Sequence, residues 1–170
     1  MGNFSFLGQA TYQAEDTYEL FQGTGLNDNG EVGDPKWVGD FNFTWTKKPF
    51  SVNWNVDYIG ATSDRADIRR TLGDDECINS AIRGTLGNPA IICPDYRGER
   101  KFYHAVSLTF DFLDKFRGTI GVNNIFDTEP AKFSRLSNQV STVTGEGISV
   151  IASQYDYLGR RFFAGITAKF

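Results

Sequence analysis

The chain has 170 residues and a net charge of −4, and it contains 15 Phe, 7 Tyr, 3 Trp and 18 Gly but a single Met. Such a length permits one domain with a sizeable core, and aromatic residues combined with glycines favour an all-β fold. The acidic balance argues against nucleic-acid binding, and no apolar run approaches the roughly 18 residues of a membrane-spanning helix.

The first part of the chain contains three segments in which apolar and polar residues alternate with a period of two, at 3–14, 36–46 and 50–59. This period indicates β-strands, because successive side chains of a strand point to opposite faces. In the third segment, Trp54 and Val56 share one face, and the polar residues between them share the other.

The same alternation returns in the second part of the chain, at 102–112, 116–126 and 157–170. Each of the six segments is long enough for the roughly 9–11 residues that a tilted strand needs to cross a bilayer. Strands of soluble proteins are typically shorter, at about 5–6 residues. The lengths therefore favour strands that span a membrane.

The connections between these segments alternate strictly between short and long. Two are tight turns, at 47–49 and 113–115, and three are long, at 15–35, 61–101 and 127–156. Transmembrane β-barrels have this asymmetry, with short periplasmic turns and long extracellular loops. We therefore predict an all-β fold in which residues 1–170 form part of an antiparallel transmembrane β-barrel.

Two further features are expected of such a barrel. Aromatic side chains should form a row near each membrane interface, because amphipathic rings favour the headgroup layer. The expected outer row contains Tyr12, Trp37, Tyr58, Phe102, Tyr103 and Tyr157, and the expected inner row contains Trp45, Phe50, Phe112, Phe116 and Phe170. By their parity, Asp57, Asp111, Arg117 and Arg161 should face the lumen. We expect these arginines to pair with lumen carboxylates rather than to bind an anionic ligand.

Cysteine and acidic residues occur mainly in the long connections. Cys77 and Cys93 lack CxxC spacing, so we expect a disulfide and an oxidising compartment, with two unpaired thiols as the alternative. Residues 27–31 with Asp34 are faintly similar to a calcium loop, but the leading acidic residue at EF-hand spacing is absent. Without any GxSxG, HExxH or Walker signature, we predict neither an enzyme nor a metal or cofactor site, and the parity of His104 makes a catalytic role improbable.

Two stretches near the end of the chain resemble the C-terminal end of TonB-dependent receptors. The first resembles the penultimate-strand signature of that family and contains Asn123, Asn124, Ile125, Phe126 and Asp127. The second resembles its closing strand and contains Gly159, Arg160, Arg161 and Phe162. Gly165 and Phe170 also resemble the terminal signal that the barrel-assembly machinery reads, although Phe163 and Ala168 depart from that pattern.

The resemblance implies a receptor and transporter of the bacterial cell outer membrane, which takes up a scarce nutrient such as a ferric siderophore. The family barrel has about 22 strands around a plug, so this chain would supply about six C-terminal strands. The lack of a signal peptide after Met1 predicts that the natural start lies upstream, together with the plug and the segment that contacts TonB.

The expected partners are therefore outer-membrane lipid, the remainder of the barrel and its plug, the TonB complex and the barrel-assembly machinery. The substrate is not specified by the sequence, and neither is the choice between loops 61–101 and 127–153 as its contact. Two alternatives stay open. One is a passive porin-type barrel, and the other is a soluble all-β binding module with its apolar face buried in protein.

Overall fold

The computed structural model describes residues 2–19, 23, 25–63, 78–79, 91–92, 97–112, 115–132 and 154–168. These residues form strands and turns, without a helix in the described ranges. In chain order the strands are β1 (Asn3–Tyr12), β2 (Thr17–Glu19), β3 (Gly25–Asn27), β4 (Trp37–Lys47), β5 (Phe50–Ile59), β6 (Thr62–Ser63), β7 (Ile78–Asn79), β8 (Ile91–Ile92), β9 (Arg97–Gly98), β10 (Lys101–Phe112), β11 (Phe116–Asn123) and β12 (Arg161–Ala168). No helix that could span a membrane occurs in this described part of the chain.

The main sheet contains six antiparallel strands in the order β1-β4-β5-β10-β11-β12. Each long strand therefore pairs with the next long strand along the chain, which confirms the predicted antiparallel all-β fold. The long connections leave from one end of this sheet, and the turn at 48–49 lies at the other end. The sheet is not closed, because β1 and β12 form its two edges.

The two faces of the sheet differ in polarity, except at the edge strands, where Leu7 and Phe163 place apolar side chains on the more polar face. Following the register, one row across the six strands consists of Phe6, Phe43, Trp54, Val106, Val122 and Phe162. The neighbouring row on the opposite face consists of Ser5, Thr44, Asn53, Ser107, Gly121 and Phe163. The apolar row is open, with Phe6 61% exposed and Trp54 43% exposed. We call these surfaces the apolar face and the polar face.

Aromatic rings pack across the strands of the apolar face. The Phe6 and Phe43 centroids lie 4.8 Å apart, the Phe43 and Trp54 centroids 5.4 Å, and the Trp54 and His104 centroids 5.8 Å. The Trp54 Nε1–H donates a hydrogen bond of 3.2 Å to His104 Nδ1, which gives the imidazole a partner on this otherwise apolar surface. Cross-strand aromatic pairs of this kind stabilise a sheet by roughly 0.2–1 kcal/mol each.

The strand glycines make room for phenylalanine rings from the neighbouring strand. A Cβ added to Gly121 would overlap the ring of Phe163, and one added to Gly118 would lie 2.5 Å from Cζ of Phe110. Aromatic rings that cover glycines in this way compensate for the missing side chain. This packing is one physical reason for the high content of glycine and phenylalanine in the chain.

The structure corrects the predicted strand ends and the predicted loops. The strand predicted at 116–126 ends at Asn123, and the one predicted at 157–170 begins at Arg161. The connections 15–35 and 61–101 are not free of secondary structure, because β2 pairs with β3, β6 with β9, and β7 with β8. The predictions for Cys77, Cys93 and Phe170 lie outside the described residues.

Tyr103 also lies elsewhere than expected. It was predicted in the outer aromatic row, but it is only 6% exposed and lies on the polar face, opposite Asp57 in the register. It packs with Val32, Ala131 and Tyr155 in a small core where the long connections return to the sheet. Burial against residues from three distant segments removes this ring from the row at the strand ends.

Candidate functional site

The polar face carries a network of side-chain hydrogen bonds between neighbouring strands. Asn53 Nδ2 donates to Asn42 Oδ1 at 2.8 Å and to Thr44 Oγ1 at 2.9 Å. The hydroxyls of Thr109 and Thr119 lie 3.2 Å apart, and those of Thr46 and Ser51 lie 3.0 Å apart. We call these hydroxyl groups, together with Asn42 and Asn53, the polar ladder. Because these groups satisfy one another, the ladder orders this face without a packed core.

Asp57 and Asp111, both predicted to face a lumen, lie on the polar face. Asp57 stands directly opposite Asp40, and Asn55 Nδ2 donates to both carboxylates, at 3.0 Å to Asp40 and 3.2 Å to Asp57. Asp111 accepts hydrogen bonds from Arg117 Nε at 2.7 Å and Arg117 Nη2 at 3.3 Å. The Asn55 amide therefore offsets part of the repulsion between Asp40 and Asp57. Asp111 gives Arg117 a fixed partner.

The first family-like stretch forms the end of β11 and the turn after it. Asn124 takes a left-handed backbone conformation with a φ of 50°, and its side chain is 3% exposed. Its Nδ2 donates to the Thr128 carbonyl at 3.0 Å, and its Oδ1 accepts from the Thr128 N–H at 2.7 Å. Asparagine tolerates this conformation better than most residues and can bond its own backbone locally, so it both ends the strand and fixes the turn.

The second family-like stretch is held against that turn. Asp127, with a φ of 55°, accepts a hydrogen bond at its Oδ1 from the Arg160 N–H at 2.9 Å. Gly159 has a φ of 71°, and a Cβ at this residue would lie 2.9 Å from the same oxygen. Glycine is thus required twice, for its backbone conformation and for the close approach of the carboxylate.

An ion pair completes the contact between the two stretches and the sheet. Arg161 Nη1 and Nη2 donate to the two carboxylate oxygens of Asp156 at 2.6 Å and 3.0 Å, a bidentate arrangement. Asp156 was not predicted as a partner of Arg161, although a carboxylate five residues upstream of an arginine across a glycine turn was an available signal. The clasp, as we define it, consists of Asn124, Asp127, Asp156, Gly159, Arg160 and Arg161.

The clasp brings together most of the family-like residues named from the sequence. Asn123 lies opposite Arg161 in the register, Ile125 N–H donates to the His104 carbonyl at 2.9 Å, and the Phe126 ring meets the His104 imidazole edge-on at 4.9 Å. Two residues lie away from it on β12. Phe162 is exposed on the apolar face, and Gly165 lies opposite Thr119 on the polar face.

The ion pair of the clasp makes a pH-dependent contribution. Hydrogen bonding to Arg161 lowers the pKa of the Asp156 carboxyl below its usual value. Because the folded-state pKa is depressed, the stabilisation is fully present above the unfolded pKa of about 3.9 and is lost as pH falls through the lower folded pKa. Asp156→Asn should therefore lower the free energy of unfolding by about 1 kcal/mol at neutral pH and by much less at pH values well below 4.

Denaturant unfolding of the natural full-length protein at both pH values measures this difference. The Asn side chain keeps the acceptor that Leu158 N–H uses at 3.0 Å, so the comparison reports the charge. Arg161→Gln is the matched variant on the other side of the ion pair. Because both substitutions remove the same interaction, their losses in the free energy of unfolding should not add in the double variant. An equal difference at both pH values would contradict the role given to the ion pair.

A cavity of about 490 Å³ lies beside the clasp on the polar face. Its walls come from β5, β10, the end of β11 and the segment that leads into β12, and they include Asp57, Tyr103, Asn124, Gln154, Tyr155 and Arg161. Burial raises the pKa of the Tyr155 hydroxyl. Gln154 was not singled out from the sequence, and no side-chain role was predicted for Tyr155, which begins the stretch that resembles the closing strand.

The acidic turn near β3 holds carboxylates close together without forming a metal site in the described ranges. Burial, and then the charges of Asp16 and Asp28, raise the pKa of the Asp34 carboxyl. The turn is held by its backbone, with the Gly30 N–H donating to the Asp34 carbonyl at 2.8 Å. Among the residues that the structure describes, no group of three acidic, His or Cys side chains is arranged to hold a metal ion.

The fold and the clasp define a class in structural terms: an open antiparallel sheet with one apolar and one polar face, whose terminal strand is clasped to the strand before it. Comparisons with protein-family models, curated proteins and solved structures give no match to this chain. The assignment of a function therefore depends on the physical properties of the two faces and on the residues of the clasp.

Proposed function

We propose that this chain forms the C-terminal strands of a transmembrane β-barrel of the TonB-dependent receptor type, which takes up a scarce nutrient across a bacterial outer membrane. The observation that carries the proposal is the difference in polarity between most of the two faces of the sheet. Phe6, Trp54 and Phe162 share the exposed apolar face, whereas Ser5 and Asn53 lie on the polar face.

Each face matches one of the two environments that a barrel wall separates. In water, an exposed apolar patch across six strands is unfavourable, whereas lipid solvates it. The polar ladder and the Arg117–Asp111 pair suit a wet or protein-filled lumen. The unpaired backbone groups of β1 and β12 would each cost several kcal/mol in lipid, so the proposal includes further strands that pair with both edges.

The direction of the strands supports the barrel assignment, and the clasp contains residues that resemble the receptor family. Long connections lie at the clasp end of the sheet, as extracellular loops do in such barrels, and the polar cavity lies at that same end. The residues that resemble the receptor family contact each other there through Asp127 and Arg160. In this proposal the clasp fixes the root of a loop that meets the nutrient.

Photo-cross-linking at two adjacent residues tests the membrane part of the proposal. In the natural full-length protein, p-benzoylphenylalanine at Phe6 should form adducts with lipid, whereas the same group at Ser5 should not. Both side chains are exposed on β1, and they lie on opposite faces of the sheet. Mass spectrometry of the peptide that contains both positions reads the adducts directly.

The alternatives predict different results in the same experiment. A soluble binding module would give protein adducts or none at Phe6, and that result would remove the membrane proposal. A passive porin-type barrel would give the same lipid adducts, but its uptake would not depend on an energised inner membrane. Uptake assays with and without a protonophore distinguish the two barrels.

A further inference from the structure

A groove of about 420 Å³ lies on the apolar face where β10, β11 and β12 run side by side. None of the described residues that line it has a polar side chain, and its walls include Val106, Leu108, Ile120, Val122, Ile125 and Phe162. Sites for small molecules usually have volumes of about 300–1,000 Å³. The groove is therefore large enough for a ligand, and its walls suit a hydrocarbon chain.

The groove opens toward the clasp and ends near the middle of the strands. The row of Val122 lies nearest the clasp, and the row of Ile120 follows it along the sheet. In the third row, the Phe110 ring covers Gly118, and neither residue lines the groove. A chain inside the groove would therefore enter from the clasp end.

A hydrogen-bond donor lies at this entrance. His104 is two residues before Val106 on β10 and shares its face. Its Nδ1 accepts the hydrogen bond from Trp54 Nε1–H, so the neutral imidazole carries its proton on Nε2. Among the described residues, nothing accepts a hydrogen bond from that Nε2–H. The entrance thus offers a donor for a polar headgroup.

A cation lies at the same level of the sheet. Arg160 directly precedes β12, has the parity of Phe162 and is exposed. The clasp uses its backbone N–H, which donates to Asp127, and the guanidinium forms no ion pair within the described part of the chain. Continued by one pair beyond Val106 and Phe162, the register brings His104 level with Arg160. Strands two apart are separated by about 10 Å, a gap that the long arginine side chain can reduce.

The groove and its entrance complement the two ends of one class of molecule. A guanidinium binds phosphate oxygens in a bidentate manner, and the imidazole N–H can donate to a further oxygen. Basic groups at the ends of membrane-spanning elements commonly recognise anionic lipid headgroups. An acyl chain supplies the apolar part that the groove accepts. A molecule with both parts is an anionic phospholipid.

We propose that the groove holds an acyl chain of an anionic phospholipid, whose phosphate is bound by Arg160 and His104. The occupant is a membrane lipid and not free phosphate, because the larger part of the site is apolar. This inference rests on the membrane part of the proposed function. It goes beyond the general contact of the apolar face with lipid, since it assigns one specific site for one class of lipid.

Competition between two lipids tests the headgroup assignment. The natural full-length protein, purified in a nonionic detergent, is mixed with equal amounts of phosphatidylglycerol and phosphatidylcholine that have identical acyl chains, and native mass spectrometry counts the bound lipid. We expect roughly fivefold more phosphatidylglycerol than phosphatidylcholine on the protein, and millimolar inorganic phosphate should not displace it. Equal retention of the two lipids, or displacement by inorganic phosphate, would overturn the proposal.

A matched pair of arginine variants tests the cation. Arg160→Gln should bring the two lipids to nearly equal retention, and it keeps the backbone N–H that Asp127 binds. Arg100→Gln makes the same change in charge at the same end of the sheet and should keep the preference. Arg100 is exposed and lies four residues before His104, about 13 Å farther along the chain. The same preference in both variants would remove Arg160 from the site.

A matched pair of tryptophan variants tests the groove. Ile120→Trp should reduce bound phosphatidylglycerol at least fivefold, because the indole fills the space that the acyl chain needs. Ile166→Trp places the same ring on the apolar face of β12 outside the groove lining, where Ile166 is 75% exposed, and should leave the bound amount unchanged. If both variants retain the lipid equally, the groove does not hold it. A thermal unfolding scan shows whether each variant remains folded.

The two experiments separate this inference from the proposed function. Lipid adducts at Phe6 without a preference for phosphatidylglycerol would leave the membrane proposal in place and remove the lipid site. Phosphatidylglycerol binding that depends on Arg160, without lipid adducts at Phe6, would support the site and remove the membrane-spanning assignment.

Discussion

Ala164→Lys should destabilise the protein in a membrane by about 2–4 kcal/mol, whereas Ala168→Lys on the same strand should cost only about 0–1 kcal/mol. Both alanines lie on the apolar face of β12, and replacing either one removes little packing. Ala164 stands opposite Ile120 near the middle of the strand, whereas Ala168 stands opposite Phe116 at its end. A lysine at the end can extend its ammonium to the headgroup layer, and one in the middle cannot.

The measurement is denaturant unfolding of the natural full-length protein refolded into lipid vesicles. Thr119→Lys on the polar face is the control, and it should cost no more than about 1 kcal/mol, the contribution of its hydrogen bond with Thr109. A graded loss along one face of one strand is expected in a bilayer, where the cost of a lysine falls from the midplane to the interface. Equal losses at both alanines would argue for a face buried in protein.

The strands of the main sheet could be predicted from the sequence because their signal is local. Alternation of period two needs no knowledge of distant residues, and the register Phe43 to Trp54 follows from the tight turn at 48–49. Asp111 and Arg117 flank the other predicted turn at equal distance, which is why the lumen prediction placed them on one face. These parts of the fold follow from the backbone geometry of strands and turns.

The strand ends could not be predicted in the same way, because they depend on single residues. Asn124 is a polar residue at a position with the parity of the apolar face, and its left-handed backbone conformation ends β11. β12 begins only after Gly159, because the positive φ of Gly159 and its close approach to Asp127 form a turn there. Asparagine and glycine permit a turn without requiring one, so the pattern extended each predicted strand by several residues.

The candidate site shows the same division between local and distant information. The two family-like stretches were recognised as a pair, but nothing in either stretch indicates that Asp127 bonds Arg160. The cavity depends even more on distant contacts, because Tyr103 and Tyr155 come together only when the chain returns to the sheet.

The clasp links the sheet to the cavity physically. It fixes both ends of the long connection between β11 and β12 within one hydrogen-bonded unit, so the segment with Gln154 and Tyr155 is held at a defined place on the polar face. Loops on a rigid scaffold commonly carry binding residues. A change that opens the clasp should therefore affect both the stability of the sheet end and the position of this segment.

Asn124→Ala is the change that should open the clasp most strongly, with a loss of about 3 kcal/mol in the free energy of unfolding. About 1–2 kcal/mol of this comes from alanine in the left-handed conformation, and about 1 kcal/mol from each lost hydrogen bond with Thr128. Asn124→Gly keeps the backbone conformation and loses only the hydrogen bonds, so it should cost roughly half as much.

Hydrogen exchange locates the effect within the natural full-length protein. The amide protons of Thr128 and Arg160, which bond Asn124 and Asp127, should exchange faster in Asn124→Ala, whereas those of β4 and β5 should exchange as before. Equal losses in the Ala and Gly variants would show that the left-handed backbone conformation contributes nothing. An Asn124→Ala variant whose free energy of unfolding lies within about 0.5 kcal/mol of the parent's would show that the clasp does not stabilise this end of the sheet. The left-handed backbone conformation of alanine or the lost hydrogen bonds should cost more than that.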